Sequence, residues 1–193
     1  MRDYKQQGQQ GKRLPKPLNS ASLHELGLSY VARFSTSAVK LERYLYRKLR
    51  ERGWEGEQPA DPSSLAERFV ELGYVDDAAY ARAKSSSLLG RGYGGRRVGQ
   101  ALNEAGIAAE IRQEVAPSER AARAAALKLA QRRRFGPFGA DAPDRERREK
   151  QLSAMLRAGH SLDNARNLVN AASEDQALAW AEDCDEDEDD SLF

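Results

Sequence analysis

Apolar residues return every three or four positions along most of this chain, in short runs that stop at glycine, proline or a polar cluster. That spacing lines one face of a helix. Leu26, Tyr30, Val31 and Phe34 set a first helix from near Leu23. Ser35 or Ser37 caps the next, where Leu41, Leu45 and Leu49 form one stripe with Tyr44 and Lys48 beside it, and Gly53 ends it. Asp61-Pro62, or Ser64 with Glu67, opens a third around Leu65, Phe69, Val70 and Leu72, stopped by Gly73. Tyr74 and Val75 plug the turn, and Asp76 or Asp77 caps a helix from about Ala78 to Leu89. GRGYGG breaks the chain before a helix that stops at Gly106. Ile107, Ile111 and Val115 then mark another, ended by Pro117. Ser118 caps an alanine- and arginine-rich helix, FGPFGADAPD is a loop, and Arg145 to Ala158 is helical again. Ser161 caps the run carrying Leu162, Ala165, Leu168 and Val169. No stretch alternates with period two, so strands are not expected.

Three of these helix ends repeat. GGRRVGQALNEAGI, ending at Gly106 and Ile107, has counterparts 53 residues away on either side, ending Gly53-Trp54 and Gly159-His160. Leu49 aligns with Leu102 and with Met155, and Glu51 with Glu104. The third copy departs where Gln151 replaces Leu45 and Val98, with Leu152 one step later. A period near 50 points to stacked supersecondary units, none able to bury its faces alone. The expected fold is all-α, a tandem repeat of three three-helix units in an elongated, curved helical array. Units 23–75, 76–117 (its first helix shared with or adjacent to the first unit) and 118–172 lie between a disordered tail over 1–22 and a mostly disordered acidic tail over 173–193. From Ser173 helix lingers to Trp180, before the disordered acidic run EDCDEDEDD.

Charge changes the picture. All 31 Lys and Arg lie at or before Arg166, whereas 10 of the 30 acidic residues lie in 174–193, leaving 1–173 at net +11 (31 bases against 20 acids). A basic body suits a polyanion or an acidic protein face, with the acidic run as a possible competitor. The alternative reading is a pair of solubilising tails. The N-terminal stretch has no apolar signal core, no run approaches the roughly 20 apolar residues of a membrane helix, and the lone Cys184 cannot form an internal disulfide. A cytoplasmic protein without membrane contact is expected.

Catalytic chemistry finds no footing. Gly90, Gly92 and Gly95 spell GxGxxG, but after a helix rather than a strand, so they read as an interhelix break. His24 and His160 have no ligand-spaced neighbours; His160 occupies the place of Trp54 and Ile107 and reads as a plug. No cofactor, metal or enzymatic activity is expected. What remains is arginine: Arg43, Arg47 and Arg50 on one helix face, Arg91, Arg96 and Arg97 around the middle break, and Arg132, Arg133 and Arg134 in the third unit. Guanidinium forks suit phosphate and carboxylate, with Tyr46 and Tyr93 available to stack, although an ordinary solvated helix face has the same look.

The order of these elements resembles the RecX regulatory family. The resemblance is carried by Phe69, Leu72, Gly73, Tyr74, Asp77, Tyr80, Ala81, Gly94, Leu102, Gly106 and Ile107, and in the first unit by Arg33, Ser37, Leu41, Leu49 and Gly53. It covers residues 28–116 closely and 118–172 loosely, and the alanine-rich third unit and acidic extension depart from the family pattern. It implies a non-enzymatic modulator that binds the RecA recombinase filament and the phosphate backbone of its DNA; separately, the chain is expected to be a monomer. Such a protein limits filament extension and so damps ATPase, strand-exchange and coprotease activity in DNA repair and the SOS response. The rival expectation is a general basic helical DNA-binding module with no RecA partner.

Overall fold

A computed structural model of the chain describes residues 16–183. Among them are ten α-helices, one short 3-10 turn at Gly136–Phe138 and no strand. The helices are α1 Ser20–Val31, α2 Ala38–Arg52, α3 Pro62–Glu71, α4 Asp77–Gly90, α5 Gly95–Glu104, α6 Ala109–Glu114, α7 Glu119–Arg133, α8 Arg145–Arg157, α9 Leu162–Val169 and α10 Glu174–Glu182. The all-α reading of the sequence holds.

Local chemistry explains where they begin and end. Where two residues competed for a cap, Ser37, Asp61 and Asp76 take the role, accepting from the backbone N–H of Lys40, Ser64 and Ala79. Hydrogen bonds from the Ser64 backbone and hydroxyl hold the Asp61 carboxyl below its ordinary range. The three repeat glycines all adopt left-handed backbone, with φ of 80° at Gly53, 75° at Gly106 and 95° at Gly159. Only glycine takes that conformation without a steric penalty, which is why the period is written in glycine. After α5 and α8 the turn closes with paired bonds: Gly106 N–H to Asn103 O and Ile107 N–H to Leu102 O, then Gly159 N–H to Leu156 O and His160 N–H to Met155 O.

Each repeat has its own core. The first gathers Leu18, Leu23, Leu41, Leu45, Ala66, Phe69 and Val75. The second gathers Tyr80, Ala81, Leu88, Val98, Leu102, Ala105 and Ile107, and the third Ala126, Leu129, Ala130, Met155, Leu168 and Val169 among others. The chain divides into two compact units, Met1–Val75 and Asp76–Phe193. The second holds the second and third cores, and α4 packs on α5, α6 and α7 within it. The break in the repeat at Gln151 has a structural cause: its side-chain oxygen accepts the Gly136 N–H at 2.9 Å, and the neighbouring Leu152 packs on the core instead.

Order reaches further than expected at both ends. Residues 16–22 were expected to be disordered. Instead Leu18 is fully buried and bridges the segment after α2, its N–H donating to Gly53 O at 3.0 Å and its carbonyl accepting from Glu55 N–H at 2.8 Å. With Arg52 Nε donating to Lys16 O at 2.8 Å, these bonds seat the extended entry to α1. The helix expected from Ser173 to Trp180 is α10, which runs two residues further, to Glu182. Ser173 caps it, Glu174 and Asp175 favour its positive end, and Ala177 and Ala181 bury one face. Arg123 of α7 closes the other end, donating to the Trp180 and Asp183 carbonyls at 3.1 and 2.6 Å while lying 5.1 Å from the Trp180 ring centroid. The acidic run from Asp185 to Asp190, and the tail expected over 1–15, lie outside the described residues.

Candidate anion-binding site

The middle glycine run is not a loose connector. Gly94 N–H donates to Ala158 O at 2.9 Å and Arg96 N–H to Gly159 O at 3.1 Å, so the start of α5 sits against the end of α8. The His160 ring nitrogen Nε2 lies 3.1 Å from Gly92 O, and the side chain is 2% exposed. A Cβ at Gly159 would fall 2.7 Å from the Arg97 Cβ, so only glycine admits this backbone approach. By sequence these glycines read as an interhelix break and a helix end; the structure makes them the faces of a joint within the second compact unit.

Beside that joint lies a cleft of about 220 Å³, lined by Tyr93, Arg132, Arg133, Phe135 and Arg157 over Leu129, Ala154 and Ala158. Its floor is apolar and its charged lining is all guanidinium. Arg132 comes from the last turn of α7 and donates through Nη1 to Arg91 O at 2.7 Å, tying α7 to the end of α4. The Arg91 guanidinium lies 5.4 Å from the Tyr93 ring centroid. Among the described residues neither Arg133 nor Arg157 is engaged by an ion pair, and the nearby Glu146 and Glu149 are taken by Lys150 and Arg145 at 2.6 and 3.3 Å. Three separated stretches (90–97, 129–135 and 154–158) thus converge on one basic, partly aromatic hollow.

Of the nine arginines singled out from the sequence, Arg132 and Arg133 line this cleft and Arg91 flanks it through Tyr93. Arg96 and Arg97 are exposed at the start of α5, and Arg134 is exposed immediately after α7. Arg134 is the one non-glycine residue among those described with positive φ, at 55°. Arg43, Arg47 and Arg50 are exposed on α2, in the other compact unit, as the helical spacing required. There Arg47 pairs loosely with Glu51 at 3.6 Å, and Arg47 and Lys48 lie 5.4 and 5.8 Å from the Tyr44 ring centroid. Tyr46 is 45% exposed, with its hydroxyl 3.4 Å from Ser63 Oγ. Sequence reasoning missed Arg157 and Phe135. The repeat held a signal for the first: Arg157 stands where Glu51 and Glu104 stand in the other copies.

His160 is a structural plug. Burial pushes its pKa below the ordinary value of 6.5, only partly opposed by the Gly92 carbonyl. His24 lies edge-on to Phe69, with ring centroids 5.3 Å apart. No group of three His, Cys, Asp or Glu side chains among the described residues could hold a metal ion, and no described helix is long and apolar enough to cross a membrane. The geometry offers exposed guanidinium groups in two places, one flat and one concave.

A family model described as RecX, second three-helix domain, matches residues 76–115. The regulatory protein RecX of Myxococcus xanthus is 30% identical over 172 residues, 84% of this chain and 92% of that protein. Its namesake from Agrobacterium fabrum is 31% identical over 140 residues, 70% and 75% of the two chains. In fold, the crystal structure of RecX from Lactobacillus salivarius superposes with a TM-score of 0.60 at 16% identity, covering 84% of this chain and 96% of that one.

Proposed function

The chain belongs to the RecX family of regulatory proteins, and on that premise we propose that it binds RecA filaments and their DNA and restrains filament extension. Damped ATP hydrolysis, strand exchange and coprotease activity would follow from shorter filaments. The observation that carries the DNA half of the reading is the arginine-lined cleft, where Arg132, Arg133 and Arg157 meet without a carboxylate among its lining residues. Guanidinium groups gathered around one hollow favour phosphate through forked, charge-assisted hydrogen bonds. Sequence-independent contacts of this kind make binding fall steeply with salt. The exposed face of Arg43, Arg47 and Arg50 supplies a second set of cations for phosphate or for acidic protein surface. The protein works as a monomer, and regulation requires only occupancy of the filament.

The test is RecA's DNA-dependent ATP hydrolysis with the full chain added in increasing amounts. The reading expects slowing at substoichiometric protein; unchanged kinetics at equimolar protein would sink it. The rival, a DNA-binding module with no recombinase partner, is favoured by the same cleft. It predicts salt-sensitive binding to DNA that RecA neither strengthens nor weakens.

A further inference from the structure

The cleft beside the α5–α8 joint has two properties that seldom coincide. Its floor of Leu129, Phe135, Ala154 and Ala158 gives nothing to a bare phosphate, and its lining of Arg132, Arg133 and Arg157 gives nothing to an uncharged apolar ligand. We infer that it takes one unstacked nucleobase of a single strand, against Tyr93 and Phe135, with the flanking phosphates on Arg132, Arg133 and Arg157. This rests on the reading above that the chain contacts DNA, and adds what part of the DNA it reads.

Size supports a single base. The cleft holds about 220 Å³, below the roughly 300–1,000 Å³ of sites for drug-sized ligands. Chemistry supports a base between phosphates. Every base has a flat apolar face that stacks on aromatic side chains, and every base lies between two anions. Tyr93 and Phe135 are both half-buried, so their rings are fixed by the core before a ligand arrives. Arg132 is fixed as well, through Arg91 O. Arg133 and Arg157 are exposed and, among the described residues, unpaired. A base in duplex DNA is stacked on both faces and cannot enter, so the cleft favours single strands. An acidic protein segment is the competing occupant; its carboxylates match the rim, but the aliphatic and aromatic floor calls for a flat apolar body beside them.

The experiment compares two fluorescent probes on the full chain: a thymidine oligonucleotide of about 15 residues, near the upper site size of a single-strand binding module, and an abasic strand of the same length. The wild-type chain is expected to bind the thymidine strand at least about fivefold more tightly, the low end of one stacked base. Tyr93→Leu keeps an apolar side chain in the core and removes one of the two stacking rings, so it should shrink that preference, the loss falling more heavily on the thymidine strand than on the abasic one. Arg157→Ala should weaken both probes and reduce the salt slope by about 0.7. Photocrosslinking with 5-iododeoxyuridine strands should place adducts on Tyr93 or Phe135. Equal wild-type affinity for the two probes overturns the inference and leaves phosphate binding standing. An equal drop for both probes with Tyr93→Leu, adducts confined to other residues, or displacement by an acidic peptide with equal probe affinities each overturns it too. Failure to bind either probe overturns it together with the single-strand part of the proposed function.

Discussion

The two basic surfaces differ in how they are made. On α2, Arg43, Arg47 and Arg50 share a face because three positions at helical spacing always do, and nothing outside the helix is needed to align them. The cleft of the second compact unit needs three separated stretches, a buried histidine and two backbones in contact at Gly94 and Gly159. A flat face made by one helix keeps its shape when a side chain is changed. A hollow made by a joint depends on the joint. The first is therefore tuned by charge and the second by packing, and the two should respond to different substitutions.

The sharpest way to separate them is to damage the joint. Gly159→Val places a branched side chain at φ 95° and against the Arg97 backbone, and it should lower the urea unfolding free energy by about 3 kcal/mol or more. Gly53→Ala on the first unit meets no atom within 4 Å and costs only the strain of its backbone, φ 80° and ψ 177°, a loss of about 1–3 kcal/mol. Equal losses would mean the joint carries no more than an ordinary helix end. Next comes charge. Reversing Arg43, Arg47 and Arg50 to Glu should weaken DNA binding about 100-fold at low salt and flatten the salt slope, with helical circular dichroism unchanged. Loss of helix would show that this face is packed rather than exposed.

Smaller effects probe the joint from within. Burial lowers the His160 pKa in the folded state, so the unfolded chain takes up a proton first as pH falls. The neutral ring's contribution is complete above about 6.5, the unfolded value, and is lost as pH falls from there towards the folded pKa. Thermal melts at stepped pH should show this decline, and His160→Gln should remove it; an unchanged decline would assign it to another group. Smallest of all, Arg134→Gly relieves a left-handed residue at φ 55° and should stabilise the second unit by about 0.5 kcal/mol in urea titration. A loss of stability would show that the Arg134 side chain holds something the backbone strain is offset against.

The same contrast explains what could be read from the chain. Caps such as Ser37, Asp61 and Asp76 were legible because a cap and its helix are neighbours in sequence. The 53-residue period was legible because positive φ leaves glycine as its mark at Gly53, Gly106 and Gly159. The α2 arginine face followed from spacing alone. The joint did not, because Gly94 is one more glycine in the run GRGYGG and Gly159 is already accounted for by the helix end it marks. Arg157 joined the site through tertiary packing, and its one trace was a change of sign against Glu51 and Glu104. The end of α10 beyond Trp180 was obscured by its own acidity, since the cation that closes it, Arg123, lies far back in the sequence on α7.

The proposed function requires engagement of RecA filaments through the basic surfaces. Co-sedimentation with preformed RecA filaments on single-stranded DNA tests it most directly, using the full chain beside an Arg133→Glu/Arg157→Glu variant. The account predicts that the full chain pellets with the filaments and that the variant stays largely in the supernatant at the same salt. A full chain that remains in the supernatant with filaments in excess would contradict it.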